Sequence, residues 1–197
     1  MKGIGIEFCT LLRIETDDME KALQIQRILN EGQGLAILKE KLRLVEDVNV
    51  TWGSGINIAH NVVQNSSQLP YSASDIVHLL KEVGVDLQAK NKEGQSPLHF
   101  GVSLLGSVEV VEALLGAGVN VDQTNNRGNS PLFDAVMQFR GRPGQLRKIE
   151  LLLAAGANPD LPNLSGHTAR SVVKERHQRL LAGIGKPEWD LESTLKW

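Results

Sequence analysis

An all-α stack of about five helix-pair units, joined by short β-hairpin fingers, is the fold this sequence predicts, and three observations predict it. A glycine-marked segment recurs at intervals of 34 to 39 residues. A second, different segment recurs at the same intervals. The composition is 41% hydrophobic but only 4% aromatic, with 19 glycines in 197 residues. A single thick core leans on aromatic side chains for buried area. Thin layers built of Leu, Val, Ile and Ala do not.

The first marker is an apolar helix end, a glycine, a small apolar residue and then Asn or Asp. It reads HLLKEVGVDLQ at 78–88, ALLGAGVNVDQ at 113–123 and LLLAAGANPDL at 151–161, aligned on Gly84, Gly118 and Gly156. A weaker copy, KLRLVEDVNV at 41–50, has Val45 at the glycine position. The second marker follows seven to ten residues later. NKEGQSPLHF (91–100) and NNRGNSPLFD (125–134) share N-x-x-G-x-S-P-L, while WGSGINIAHN (52–61) and NLSGHTARSV (163–172) keep parts of it. Its glycines, Gly55, Gly94, Gly128 and Gly166, stand 39, 34 and 38 residues apart, the intervals of the first marker. Two independent markers on one set of spacings establish the repeat.

Each element then has a local cause. Thr16-Asp17-Asp18 starts an N-terminal helix over about 17–30, paired with one near 34–44. Helices follow near 57–65 and 74–83, 97–105 and 107–117, and 131–139 and 145–155, with a closing pair over about 168–182. Ser96 and Ser130 are good N-caps, and Pro97 and Pro131 then occupy the first helical position, where a missing N–H costs nothing. Leu98 and Val102, like Leu132 and Val136, lie four apart and form one apolar stripe. Gly84, Gly118 and Gly156 end the second helices. Residues 1–16 read as a further capping helix or an extended strand. Gly183 to Pro187 break the last helix, leaving Trp189 and Trp197 to fold back over the stack or to stay mobile.

These residues resemble the ankyrin repeat family, whose unit is about 33 residues with a T-P-L-H-x-A signature. Ser96-Pro97-Leu98-His99 and Ser130-Pro131-Leu132 carry the likeness, each followed by the leucine-glycine-asparagine marker, and it covers roughly residues 34 to 182. The first and last units depart, with Asn57-Ile58-Ala59-His60 and Thr168-Ala169-Arg170 at the signature; end units of a stack are commonly degenerate. The resemblance implies one domain, 1–182, with units at about 17–50, 51–88, 89–122, 123–160 and 161–182, and a tail at 183–197. It also implies that His60 and His99 bond neighbouring units.

In that family, partners lie against the fingers and the exposed side of the first helices. Carried over position by position, this points to Gly53, Ser54 and Ile56 in the first unit. Lys92, Glu93, Gln95, Ser103 and Leu104 follow in the second, Asn126, Arg127, Asn129, Met137 and Gln138 in the third, and then Leu164, Ser165 and His167. Trp52 stands where the other fingers have Asn91, Asn125 and Asn163, so it is either a binding anchor or a cover for the joint between the first two units. Two insertions fall between paired helices, at 65–72 and 139–146. Inserted loops of repeat arrays commonly serve binding, with simple length drift as the rival reading. The second insertion offers Phe139, Arg140 and Arg142, close to Arg147 and Lys148. Such a basic cluster suits a carboxylate-rich partner, or else is a solvated charge run.

Charge and chemistry narrow the function. With 21 basic and 23 acidic residues the chain is no general polyanion binder. Residues 1–124 hold 10 basic and 16 acidic side chains, and 125–197 hold 11 and 7, an asymmetry that suits a partner with its own. Cys9 cannot form an internal disulfide and reads as a small buried hydrophobe. With no signal-peptide pattern or spanning run, the expected location is the cytoplasm. Phosphate-loop, zincin and nucleophile-elbow patterns are absent, and Gly3-Ile4-Gly5 falls short of a dinucleotide fingerprint. The five histidines are scattered. No cofactor or metal is expected. The function expected is a non-catalytic protein-binding module that blocks or sequesters its partner, for instance a bacterial immunity protein or antitoxin neutralising a toxin. The alternatives are a regulatory adaptor or inhibitor of a kinase or transcription factor and, more remotely, an enzyme with an unrecognised site. A nucleic-acid role would rest on the Arg140–Lys148 cluster alone.

Overall fold

The computed structural model of the chain describes residues 20, 21, 23–25, 27–29, 31, 34–67, 69–104, 106–181 and 195, with backbone alone over 177–181. The expectations for residues 1–16, including Gly3-Ile4-Gly5 and Cys9, and for Trp189 and Trp197 lie outside the described residues. Helical residues fall between 20 and 29. They are followed by α1 (Leu35–Arg43), α2 (Ile58–Gln64), α3 (Ala73–Glu82), α4 (Pro97–Val102), α5 (Val108–Gly116), α6 (Pro131–Gln138), α7 (Pro143–Ala154) and α8 (Ala169–Leu181).

The helices stack in two rows. In one, α2, α4, α6 and α8 pack in succession; in the other, α1, α3, α5 and α7 do, and α2–α3, α4–α5 and α6–α7 pair across. Apolar residues four apart build the first row: Ile58 and Val62, Leu98 and Val102, Leu132 and Val136, and Ala169 and Val173 are all buried. Ile76 and Leu80, and Val110 and Leu114, do the same for the second, joined by Ile149 and Leu152, three apart. Each such Leu or Ile contributes about 1.5–3 kcal/mol by leaving water, and most need no aromatic neighbour to do so. Leu195 is buried against the same core.

Caps decide where helices begin and end. Asn57 Oδ1 accepts the amides of Ala59 and His60, Ser72 that of Asp75, Ser107 that of Val110, and Ser130 that of Phe133. Past the end of α3, Val85 N–H returns to Leu80 O (2.9 Å) and Gly84 N–H to Lys81 O (3.2 Å). That pattern needs a left-handed residue, and Gly84 supplies it at φ 85°. The closing pair expected over 168–182 is a single helix, α8, and two boundaries differ from the sequence reading by two residues or more. Helix α7 starts at Pro143, not 145, because Pro143 takes the first helical position. Helix α4 stops at Val102, not 105, since Ser103 is extended (φ −62°, ψ 173°).

The α4 boundary involves Lys148. Its ammonium is buried and donates to the carbonyls of Ser103 (2.7 Å) and Gly106, more than forty residues away. Burial pushes the ammonium below its usual range, with Glu109 opposing. This corrects the expectation of a four-membered basic surface cluster: Lys148 is an internal bolt between α7 and the α4–α5 connection. Lys148→Met keeps the apolar stem but removes the donor. It is expected to lower unfolding free energy by about 1–3 kcal/mol and the thermal midpoint by roughly 5 °C. Differential scanning calorimetry checks this, and an unchanged midpoint contradicts it.

The fingers are tight turns. The entry residue of each donates across the turn, Trp52 N–H to Ile56 O (3.0 Å), Asn91 to Gln95 (2.9 Å), Asn125 to Asn129 (3.0 Å) and Asn163 to His167 (2.9 Å), and its own carbonyl accepts the N–H of Gly55, Gly94, Gly128 or Gly166. The opening asparagine then bonds its own loop. Asn91 Oδ1 accepts from Glu93 and Gln95, Asn125 Oδ1 from Arg127 and Asn129, and Asn163 Oδ1 from Ser165 and His167. Such short closures leave no room for a ladder. Among the described residues the expected hairpins therefore carry no named strand, and the bridge between Trp52 and Ile56 stands isolated.

Candidate partner-binding site

Backbone bonds tie each finger to the next. Lys92 N–H donates to Ser54 O (2.8 Å), Asn126 N–H to Glu93 O (3.0 Å) and Leu164 N–H to Arg127 O (3.0 Å). Beneath them, His60 Nε2 reaches Gln95 O (2.9 Å) and His99 Nε2 reaches Asn129 O (3.1 Å). His99 Nδ1 accepts Ser96 N–H (3.1 Å), which leaves the ring neutral with its proton on Nε2. Burial lowers the pKa of both rings, opposed by the carbonyls they bond.

The third unit breaks this ladder. Phe133, itself buried, stands where His60 and His99 stand in the earlier units. Side-chain amides take over the connection. Asn163 Nδ2 donates to Asn129 Oδ1 (3.0 Å), and Asn129 Nδ2 donates to Asp134 Oδ1 (2.9 Å). Asn125 Nδ2 donates to Asp134 Oδ2 (3.3 Å). Asp134 is half-buried, and burial pushes its carboxyl up while the Asn129 amide and the Arg127 charge pull it down.

Between the second and third fingers lies an open cleft of about 380 Å³. Lys92, Glu93, Gln95, Asn126, Arg127, Asn129 and Gln138 line it, all residues pointed to by the sequence. Asn125 and Asp134 complete the lining and were not among those expected. Their only sequence signal is the placement of two asparagines nine and five residues before an aspartate in the first helical turn.

The other expected contacts stand elsewhere. Ser54 is exposed on the first finger, while Trp52 and Ile56 are half-buried, with Trp52 packed against the core. Leu104 and Met137 are exposed. Phe139 requires correction as a contact: it is only 3% exposed, because the residue capping α6 turns inward. Arg140 lies at the surface, but its guanidinium bonds the carbonyls of Met137 (3.1 Å) and Phe139 (2.8 Å). Arg176 also bonds the end of α6, through Val136 O (2.6 Å) and Met137 O (3.0 Å). Arg142 is exposed at the start of α7, and Arg147 pairs with Glu150 (3.3 Å). Among the described residues, no three His, Cys, Asp or Glu side chains converge as metal ligands would.

The sequence profile of ankyrin repeats, in three copies, matches residues 37–163, most of the chain. The chain belongs to the ankyrin repeat family. Ankyrin repeats are protein–protein interaction modules, generally without catalysis of their own, and that is the functional class of this chain. No curated protein matches this ankyrin chain. Among its described residues, no helix is long and apolar enough to cross a membrane.

Proposed function

We propose that this ankyrin stack binds a partner protein across its second and third fingers and acts by covering the partner's surface, so that the partner is blocked or sequestered. The observation that carries the reading is the convergence of seven finger and first-helix residues on one cleft. Its walls are held by backbone bonds between fingers and by the buried histidines, so little conformational freedom is lost on binding. The cleft lining has two cations, Lys92 and Arg127, and two anions, Glu93 and Asp134. Recognition of that kind is by complementary pattern, not by bulk charge.

The concrete form proposed is a cytoplasmic immunity protein or antitoxin that occludes a toxin domain encoded beside it. Affinity capture from the host, with mass spectrometry and inspection of the neighbouring gene, tests this. The wild-type chain is expected to recover one dominant partner, the neighbouring product, and to abolish that product's toxicity when co-expressed. The double variant Lys92→Ala, Glu93→Ala is expected to lose about tenfold or more in affinity with its thermal midpoint unchanged, since exposed tip residues add little to stability. Recovery of an unlinked kinase or transcription factor would replace the toxin reading with the regulatory one. Recovery of no protein would overturn the proposal.

A further inference from the structure

The cleft floor has a chemistry that its rim does not. Each oxygen of Asp134 accepts one amide hydrogen bond, from Asn129 at 2.9 Å and from Asn125 at 3.3 Å. A carboxylate has about four acceptor sites, so roughly half its capacity is still open. Each neighbouring side-chain amide spends one of its two N–H donors within the protein, Asn125 and Asn129 on Asp134 and Asn126 on Lys92 O (2.9 Å), and the donor left on each is neutral. The charged group that the floor offers a visitor is therefore the half-buried Asp134 carboxylate, with its remaining acceptor capacity. Lys92 and Arg127, by contrast, are on exposed finger tips, where water and salt weaken their pull. A carboxylate held half-buried acts through a lower dielectric and is worth more per contact.

Resting on the protein-binding reading above, we infer that Asp134 is the specificity-determining residue of the cleft and receives an arginine side chain of the partner. The guanidinium fork matches a carboxylate whose two oxygens are each already held in place by one amide, and the match is bidentate. A carboxyl raised by burial, as Asp134 is, gains from an incoming cation. Arg127, whose charge already acts on Asp134, is the internal competitor that sets how strongly the guest is held.

The test uses the full chain and three capped tripeptides, Ac-Gly-Arg-Gly-NH2 and its citrulline and glutamate counterparts, followed by NMR at the Asn125 and Asn129 side-chain amides. The arginine peptide is expected to shift both amides saturably, with the isosteric but neutral citrulline peptide at least about tenfold weaker. Asp134→Asn is expected to abolish the shift. Because that change also touches the finger network, Arg127→Ala serves as the second variant: it leaves the network intact and is expected to tighten the arginine peptide about threefold. Equal response to arginine and citrulline, no response at all, or weaker binding in Arg127→Ala overturns the inference. A stronger response to the glutamate peptide also overturns it and makes the cleft an anion site formed by Lys92 and Arg127. The two levels fail separately: a captured partner with no peptide response sinks the arginine inference alone, and absence of any captured protein sinks the binding reading itself.

Discussion

His99→Ala is expected to lower the unfolding free energy by about 3 kcal/mol, because it removes a bond between units and leaves the buried Ser96 N–H without its acceptor. His99 Nε2 crosses from the second unit to Asn129 O in the third, a bond formed between residues thirty apart in the chain. In a stack, stability is a sum of unit and nearest-neighbour terms, so weakening one joint lowers the whole by the strength of that joint. For a chain of this size the thermal midpoint should fall by roughly 10 °C.

The same ring makes stability depend on pH. The folded pKa lies below the unfolded value of about 6.5, so between the two the unfolded chain binds more protons. The ring's contribution is therefore complete above pH ~6.5 and is lost as the pH falls through the folded pKa. His60 carries a shift of the same sign. Urea unfolding from pH 8 to pH 5 should show declining wild-type stability, with a shallower decline in His99→Ala. Parallel pH profiles for the two chains would show that His99 is not held neutral.

The second large effect is at Gly128, which sits at φ 75° in the third finger. A Cβ there would stand 2.7 Å from the backbone nitrogen of Leu164, the nitrogen that donates to Arg127 O across the fingers. Backbone cannot swing aside as a flexible side chain can. The left-handed conformation alone costs a non-glycine residue about 1–2 kcal/mol, and the clash should raise the total for Gly128→Ala to about 3 kcal/mol. Because the joint lost is the last full one, the closing unit should fray first. Hydrogen exchange should accelerate in α8 while α2 and α3 keep wild-type rates. A Gly128→Ala chain with unchanged exchange in α8 would mean that the finger contact carries little of the coupling.

The fold was legible because each unit repeats its own punctuation. Ser-Pro at helix starts, glycine at helix ends and asparagine at finger entries are local requirements, and local requirements show in sequence. The site was legible to the extent that it sits on those same fingers. What escaped was set by distance in the chain. Lys148 follows Arg147 and looks like one more surface cation; only contact with carbonyls of the preceding unit makes it internal. Phe139 adjoins Arg140 in an insertion, yet the turn that ends α6 sends its ring into the core. Asp134 stands among apolar neighbours in the chain, and only the finger asparagines Asn125 and Asn129, nine and five residues before it, give its carboxylate partners. None of these three facts is periodic, so no register could reveal them.

Recognition through the second and third fingers is the central claim, and backbone amide shift mapping of the chain bound to its captured partner tests it most directly. The account predicts that the largest perturbations fall on residues 91–95 and 125–129 and on Gln138, with α3, α5 and α7 little changed. Perturbation confined to the row formed by α3, α5 and α7, with the two fingers silent, would contradict it.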